Sequence, residues 1–208
     1  MKVTGISGHN AAVNVTKSAP SKVTANLAYT LLGDGSLKVE CSIDIDSKMP
    51  EPLRIGMQCR MSDAIGNVTY FGRGPVENYS DRKEGLMLGT YSSDVENMMV
   101  QYVVPQENGN RCDVDWFTLL DSNGRGIKVS ALGTPLNFSV WNTTQEELEK
   151  ARHIGEAAVL SDSFILNIDH IQTGVGGTNT WSRKAQASPQ YRLLENHYEY
   201  GFLITAVK

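Results

Sequence analysis

Trp181 is the side chain in this sequence best suited to meet a ligand. It follows Gly176-Gly177-Thr178-Asn179-Thr180 and stands outside any alternating apolar pattern. An indole plate can stack on the C–H face of a sugar ring while nearby polar groups, here Thr178 and Asn179, bond its hydroxyls. A packed loop anchor is the competing reading, and spacing alone leaves both open. Two further polar knots stand out. Tyr70–Arg82 (YFGRGPVENYSDR) runs from a strand into two glycines and a proline, then a cluster of Glu77, Asn78, Asp81 and Arg82. Pro105–Arg111 (PQENGNR) carries amide, carboxylate and guanidinium groups around an Asn108-Gly109 turn dipeptide. Charged groups this dense beside rigid turns lock loops through mutual hydrogen bonds, and that structural reading is preferred over direct ligand contact for both.

Several chemistries are excluded by motif. The sequence has no G-x-S-x-G, H-E-x-x-H, Walker or EF-hand pattern, and Gly72-Arg73-Gly74-Pro75 lacks the lysine and helix of a phosphate loop. His9, His153, His170 and His197 lie far apart, without metal-ligand spacing. Cys41, Cys59 and Cys112 form neither a C-x-x-C pair nor an even set, and are expected as small core hydrophobes. No metal or cofactor is expected in this chain.

Charge and hydropathy narrow the partners. Over 208 residues, 19 basic side chains face 23 acidic ones, a formal net charge of −4, which is the wrong balance for neutralising phosphates, so nucleic acid is not expected. No apolar run approaches the roughly 18–20 residues that cross a bilayer, so no membrane partner is expected. The first residues, MKVTGISGHNAAVNVT, lack the basic-then-apolar pattern of a secretory signal.

The elements that must carry these residues are strands. Lys22–Leu32 and Ser36–Asp46 alternate apolar and polar side chains around Gly33-Asp34-Gly35, a hairpin signal. Similar runs span Arg54–Met61, Val68–Phe71, Gly85–Ser92, Asp113–Leu120, Ile127–Leu132, Leu136–Trp141, Phe164–Gln172 and His197–Val207, with Trp116 and Trp141 expected in the core. Thr144-Gln145-Glu146-Glu147 has capping-box spacing and predicts one short helix over Gln145–Arg152. The fold class is therefore all-β, an antiparallel sandwich with one short helix, expected as a single domain over 1–208.

Four ordered segments, GRGPVENYSDR (72–82), YVVPQENGNR (102–111), LNIDHIQTGVGGTNTW (166–181) and HYEYGFLI (197–204), resemble the C-terminal small-chain domain of glycoside hydrolase family 2 β-galactosidases. The resemblance implies a galactose mutarotase-like β super-sandwich. It also implies an N-terminally truncated domain, because the family's domain begins earlier, with an F-W-R-A-P-type motif not found here. In the family, the two glutamates of a retaining mechanism, with the magnesium and monovalent-cation sites, lie on other domains. The implied partners are a galactoside or other sugar, the remaining domains of a cytoplasmic or periplasmic parent enzyme, and further copies in an oligomer. The tryptophan that reaches the rim of the family's substrate pocket matches Trp181. Thr178-Asn179-Thr180 departs from the acidic residues that the family carries just before it. Two alternatives stand beside this reading: a stand-alone carbohydrate-binding module, and a sugar mutarotase with His170 as acid and Glu195 as base.

Overall fold

The computed structural model describes every residue except Met1, Gly8, His9, Pro20, Ser21, Thr180, Trp181, Arg183 and Lys184. Among the described residues, thirteen strands form two antiparallel sheets. They are β1 (Lys2–Ser7), β2 (Asn10–Ala19), β3 (Val23–Leu31), β4 (Leu37–Ile45), β5 (Arg54–Ser62), β6 (Ile65–Gly74), β7 (Met87–Asp94), β8 (Arg111–Val114), β9 (Trp116–Asp121), β10 (Gly126–Ala131), β11 (Leu136–Trp141), β12 (Ser163–Gln172) and β13 (His197–Val207). The larger sheet has the order β1-β2-β3-β4-β13-β10-β9-β6-β7, and the smaller β5-β12-β11-β8. β1 and β2 lie outside the runs read as strands from sequence, where small and polar side chains obscure the alternation.

The two-residue period decides which side chains meet between the sheets. Val39 and Cys41 of β4, Tyr200 and Phe202 of β13, Phe117 and Leu119 of β9, and Val68 and Tyr70 of β6 point inward from the large sheet. Phe138 and Val140 of β11, and Leu166 and Ile168 of β12, answer from the small one. Phe117 and Phe138 stack face to face across the layers at 4.4 Å.

The hairpin between β3 and β4 closes as its residues dictate. Gly35 adopts φ +86°, and the Asp34 carboxylate accepts the Ser36 amide at 2.8 Å. Asp121-Ser122-Asn123-Gly124 does the same between β9 and β10, with Asp121 Oδ1 accepting from the amides of Asn123 and Arg125. The run expected as one strand over Asp113–Leu120 is two, β8 and β9, in different sheets. Asp115 separates them, its amide donating to Phe71 O at 3.0 Å and its carbonyl accepting the Ala131 amide at 2.8 Å. Within β8, Asp113 takes φ +55°, the left-handed region that Asp tolerates better than most, where the pairing with β11 shifts register. Its carboxylate is held there by Arg73 Nε at 2.6 Å and Lys83 Nζ at 2.7 Å.

The helix, α1, spans Gln145–Lys150, shorter than expected. Only half of the capping box forms. The Thr144 hydroxyl accepts the Glu147 amide at 3.2 Å, while the Glu147 carboxylate turns to Lys150 Nζ at 2.9 Å. α1 covers the outer face of the small sheet, where Trp141, Leu148 and Ile165 make a second apolar cluster. β12 is thus buried on both faces, which explains its nearly continuous apolar sequence.

Two expectations need correction. Trp141 is buried, but Trp116 sits half-exposed on the outer face of the large sheet, with Lys128 Nζ 4.9 Å from its ring centroid. The strand period places Phe117, not Trp116, toward the core. Cys41 and Cys112 are buried as expected, and burial pushes the Cys112 thiol up to about 12, but Cys59 is exposed on the edge strand β5.

Candidate functional site

The glycine-rich segment after β12 is fixed by hydrogen bonds at its base. The Thr173 amide donates to Leu53 O at 2.9 Å and the Gly174 amide to Tyr191 O at 2.7 Å. The Asp81 carboxylate then accepts from the amides of Val175 (3.3 Å) and Gly176 (2.7 Å). The polar run of 72–82 therefore holds the loop of 173–179. Glycine is required by closeness: a Cβ on Gly174 would lie 2.7 Å from the Asp81 carboxyl carbon, and one on Gly177 would lie 2.5 Å from Ala185 O.

Thr178 and Asn179 are both exposed beyond this anchor. The Asn179 side-chain oxygen accepts the Ser182 amide at 3.0 Å, a local turn contact. Trp181 lies outside the described residues. Thr178 and Asn179 thus share one loop tip, on the segment that leads to Trp181.

Below the loop opens a cleft of about 500 Å³, lined by Leu53, Arg54, Pro105, Gln106, Glu107, Trp141, Gln145, Leu148, Glu149, Gln172, Thr173, Gly174 and Val175. Arg54 begins β5, Trp141 ends β11 and Gln172 ends β12, so rigid strand ends present these side chains. The Arg54 guanidinium lies 5.2 Å from the Trp141 ring centroid, and its Nη2 donates to Glu107 Oε1 at 2.8 Å and Gln172 Oε1 at 3.3 Å. Its Nε stands 3.2 Å from Asp169 Oδ2, within ion-pair range but not aligned as a hydrogen bond, so both atoms lack a hydrogen-bond partner. Asp169 is 1% exposed. Burial outweighs the attraction of Arg54 and, with Glu107 nearby, pushes its carboxyl up to about 7. Burial also raises the Glu107 carboxyl, against the opposing pull of Arg54.

The neighbouring cluster around Glu77 is closed. Glu77 Oε1 accepts from Arg82 Nη2 at 2.5 Å and from the Tyr102 hydroxyl, and Oε2 accepts the Gly109 amide at 2.7 Å. Behind it, Asn78 is fully buried. Its amide nitrogen donates to Arg73 O (2.9 Å) and Val76 O (3.0 Å), and its oxygen accepts the Cys112 amide (2.8 Å). Asn110 Nδ2 returns a bond to Asn78 O at 2.8 Å. The two polar knots of the sequence therefore tie to each other, as the structural reading expects. Glu107 is the exception, since it faces the cleft.

Sequence reasoning missed Arg54, Asp169 and Gln172. One signal was visible: Asp169 interrupts the apolar run Phe164–Ile171, and a carboxylate in a buried strand needs a cation. Among the described residues, the histidines do not converge on the cleft as a group. His170 stacks on Tyr200 at 5.6 Å, and burial lowers its pKa. His197 pairs with Asp44 on the outer face of the large sheet, and Glu195 is exposed. Among the described residues, no three His, Cys, Asp or Glu side chains gather to hold a metal ion.

These features define a β-sandwich domain with a glycine loop and a polar cleft at one end of its smaller sheet. The family model described as beta galactosidase small chain matches residues 2–204, and the chain belongs to that family. It is 36% identical over 176 residues to a beta-galactosidase of Priestia megaterium and 33% identical over 174 residues to one of Vibrio cholerae. These alignments cover 85% and 83% of this chain but 17% and 16% of those relatives, so the chain spans a small fraction of their length. A solved Escherichia coli K12 protein, provisionally described as an aldose 1-epimerase, overlays on 99% of this chain and 68% of its own. Its TM-score is 0.45 and its sequence identity 10%.

Proposed function

We propose that this chain acts as the accessory end domain of a β-galactosidase and lends Trp181 to the rim of the parent enzyme's substrate pocket, with Thr178 and Asn179 beside it. The catalytic glutamates belong to other domains of that parent, which are this chain's partners together with a galactoside. The observation that carries this reading is the Asp81 clamp on Val175 and Gly176. A loop that only closes a sandwich does not need a carboxylate from another loop to hold two of its amides. A loop that presents a stacking side chain at fixed geometry does, because each rotamer-rich group frozen on binding costs affinity.

The test is kinetic. In the parent enzyme, Trp181→Ala should lower kcat/KM for lactose by about tenfold, the loss of about 1 kcal/mol or more expected for an aromatic contact. The 208-residue chain alone should not cleave a chromogenic galactoside. Unchanged lactose kinetics, or turnover by the chain alone, would overturn the proposal.

A further inference from the structure

The charged cleft under the loop has no role in that proposal, and its composition is unusual for a purely structural feature. Buried ion pairs contribute little net stability against a well-packed apolar alternative. Yet one cation, Arg54, is kept here beside two acids, Glu107 and Asp169, with a third, Glu149, on the facing helix. Arg54 commits only Nη2 to aligned hydrogen bonds among the described residues; its Nε is buried against Asp169, which leaves Nη1 with capacity to donate.

We infer that this cleft binds a neutral, hydroxyl-rich ligand, one sugar unit, between Arg54, Glu107 and Gln172 on its floor and Gln145 and Glu149 on α1. The charges select the class. An anion would meet Glu107 and Glu149, and a cation would meet the guanidinium. A polyol both donates to the carboxylates and accepts from Arg54 and the amides, so no charge is left uncompensated. Leu53 and Val175, 73% and 44% exposed, give the wall an apolar surface for the C–H face of a ring. A volume of about 500 Å³ is that of a small-ligand pocket. The inference rests on the galactosidase reading only in choosing galactosides as probes.

The experiment is a titration of the 15N-labelled 208-residue chain with galactose and lactose, followed by amide shifts. Saturable shifts at Glu107, Glu149, Thr173 and Val175 are expected, with a dissociation constant on the order of millimolar, as suits a ligand of this size. Glu149→Ala, at an exposed helix position, should weaken binding about tenfold, the loss of one hydrogen bond to a charged group. Galacturonate should bind at least about tenfold more weakly than galactose. Trp181→Ala separates the two proposals. If its cleft shifts persist, the cleft is the site. If all shifts vanish with the indole, Trp181 holds the sugar and the cleft inference falls while the rim proposal stands. No shift at sugar concentrations on the order of 100 mM overturns the cleft inference outright.

Discussion

The Glu77 and Arg54 clusters lie side by side, joined by Tyr79, whose ring packs under Arg82 and whose hydroxyl reaches Glu107 at 3.4 Å. Both gather arginine, glutamate and amide side chains at loop ends, and in sequence they look alike. They differ in pairing. Around Glu77, both carboxylate oxygens are bonded and the buried Asn78 spends its side chain on backbone groups, although the buried Asn110 Oδ1 behind it has no partner among the described residues. Around Arg54, one guanidinium is shared by two acids, and Asp169 keeps an oxygen without an aligned donor. A carboxylate whose oxygens are all bonded specifies structure, whereas an ion pair left short of aligned bonds retains capacity for something else. Polar density does not separate the two, and bond accounting does.

Breaking the Glu77 cluster should have the largest effect. Asn78→Ala removes three side-chain hydrogen bonds at a buried position, and about 2–4 kcal/mol of stability should go with them, read from urea unfolding. A loss under about 1 kcal/mol would mean that water replaces those bonds, and that the lock is not what joins the loops.

The Arg54 cluster should instead show itself through pH. The Asp169 carboxyl is raised from 3.8 to about 7 in the folded chain, so the fold holds its proton over a range in which the unfolded chain has released it. Its contribution to stability is complete below about pH 4 and is lost as pH rises toward 7. Asp169→Asn should therefore gain stability relative to the unmodified chain between pH 5 and pH 8, by on the order of 1 kcal/mol or more. A relative gain in the opposite direction would show that Arg54 holds Asp169 as a carboxylate, and the two clusters would then be alike in kind.

The smallest effect belongs to the link between the Glu77 segment and the loop. Asp81→Ala should leave global stability within about 1 kcal/mol while hydrogen exchange at the Val175 and Gly176 amides accelerates, because only their acceptor is removed. Unchanged exchange would mean that the tie to Tyr191 alone fixes the loop.

Much of the fold was legible because it follows from local chemistry. The alternation in Lys22–Asp46 and His197–Val207 fixes which side chains face the core, Gly35 and Gly124 mark turns through their need for positive φ, and Thr144 marks the start of α1. The family was legible from four ordered motifs, and the match over residues 2–204 agrees. Trp116 and Cys59 were misread because a strand period says which residues share a face but not which face is covered. The break between β8 and β9 at Asp115 was hidden because a single residue between two strands leaves the apolar pattern on either side intact.

The sequence by itself determined most of the strands from β3 onward, their turns, the family and the loop that carries Thr178 and Asn179, since each depends on neighbours a few residues away or on motif order. Only the tertiary structure decided what the polar residues do. Arg54, Glu107, Asp169 and Gln172 come from three separate stretches of chain, and Asp81 reaches its loop across 94 positions. Whether a charge is spent or available depends on distances, alignment and burial, and these exist only once the two sheets have packed.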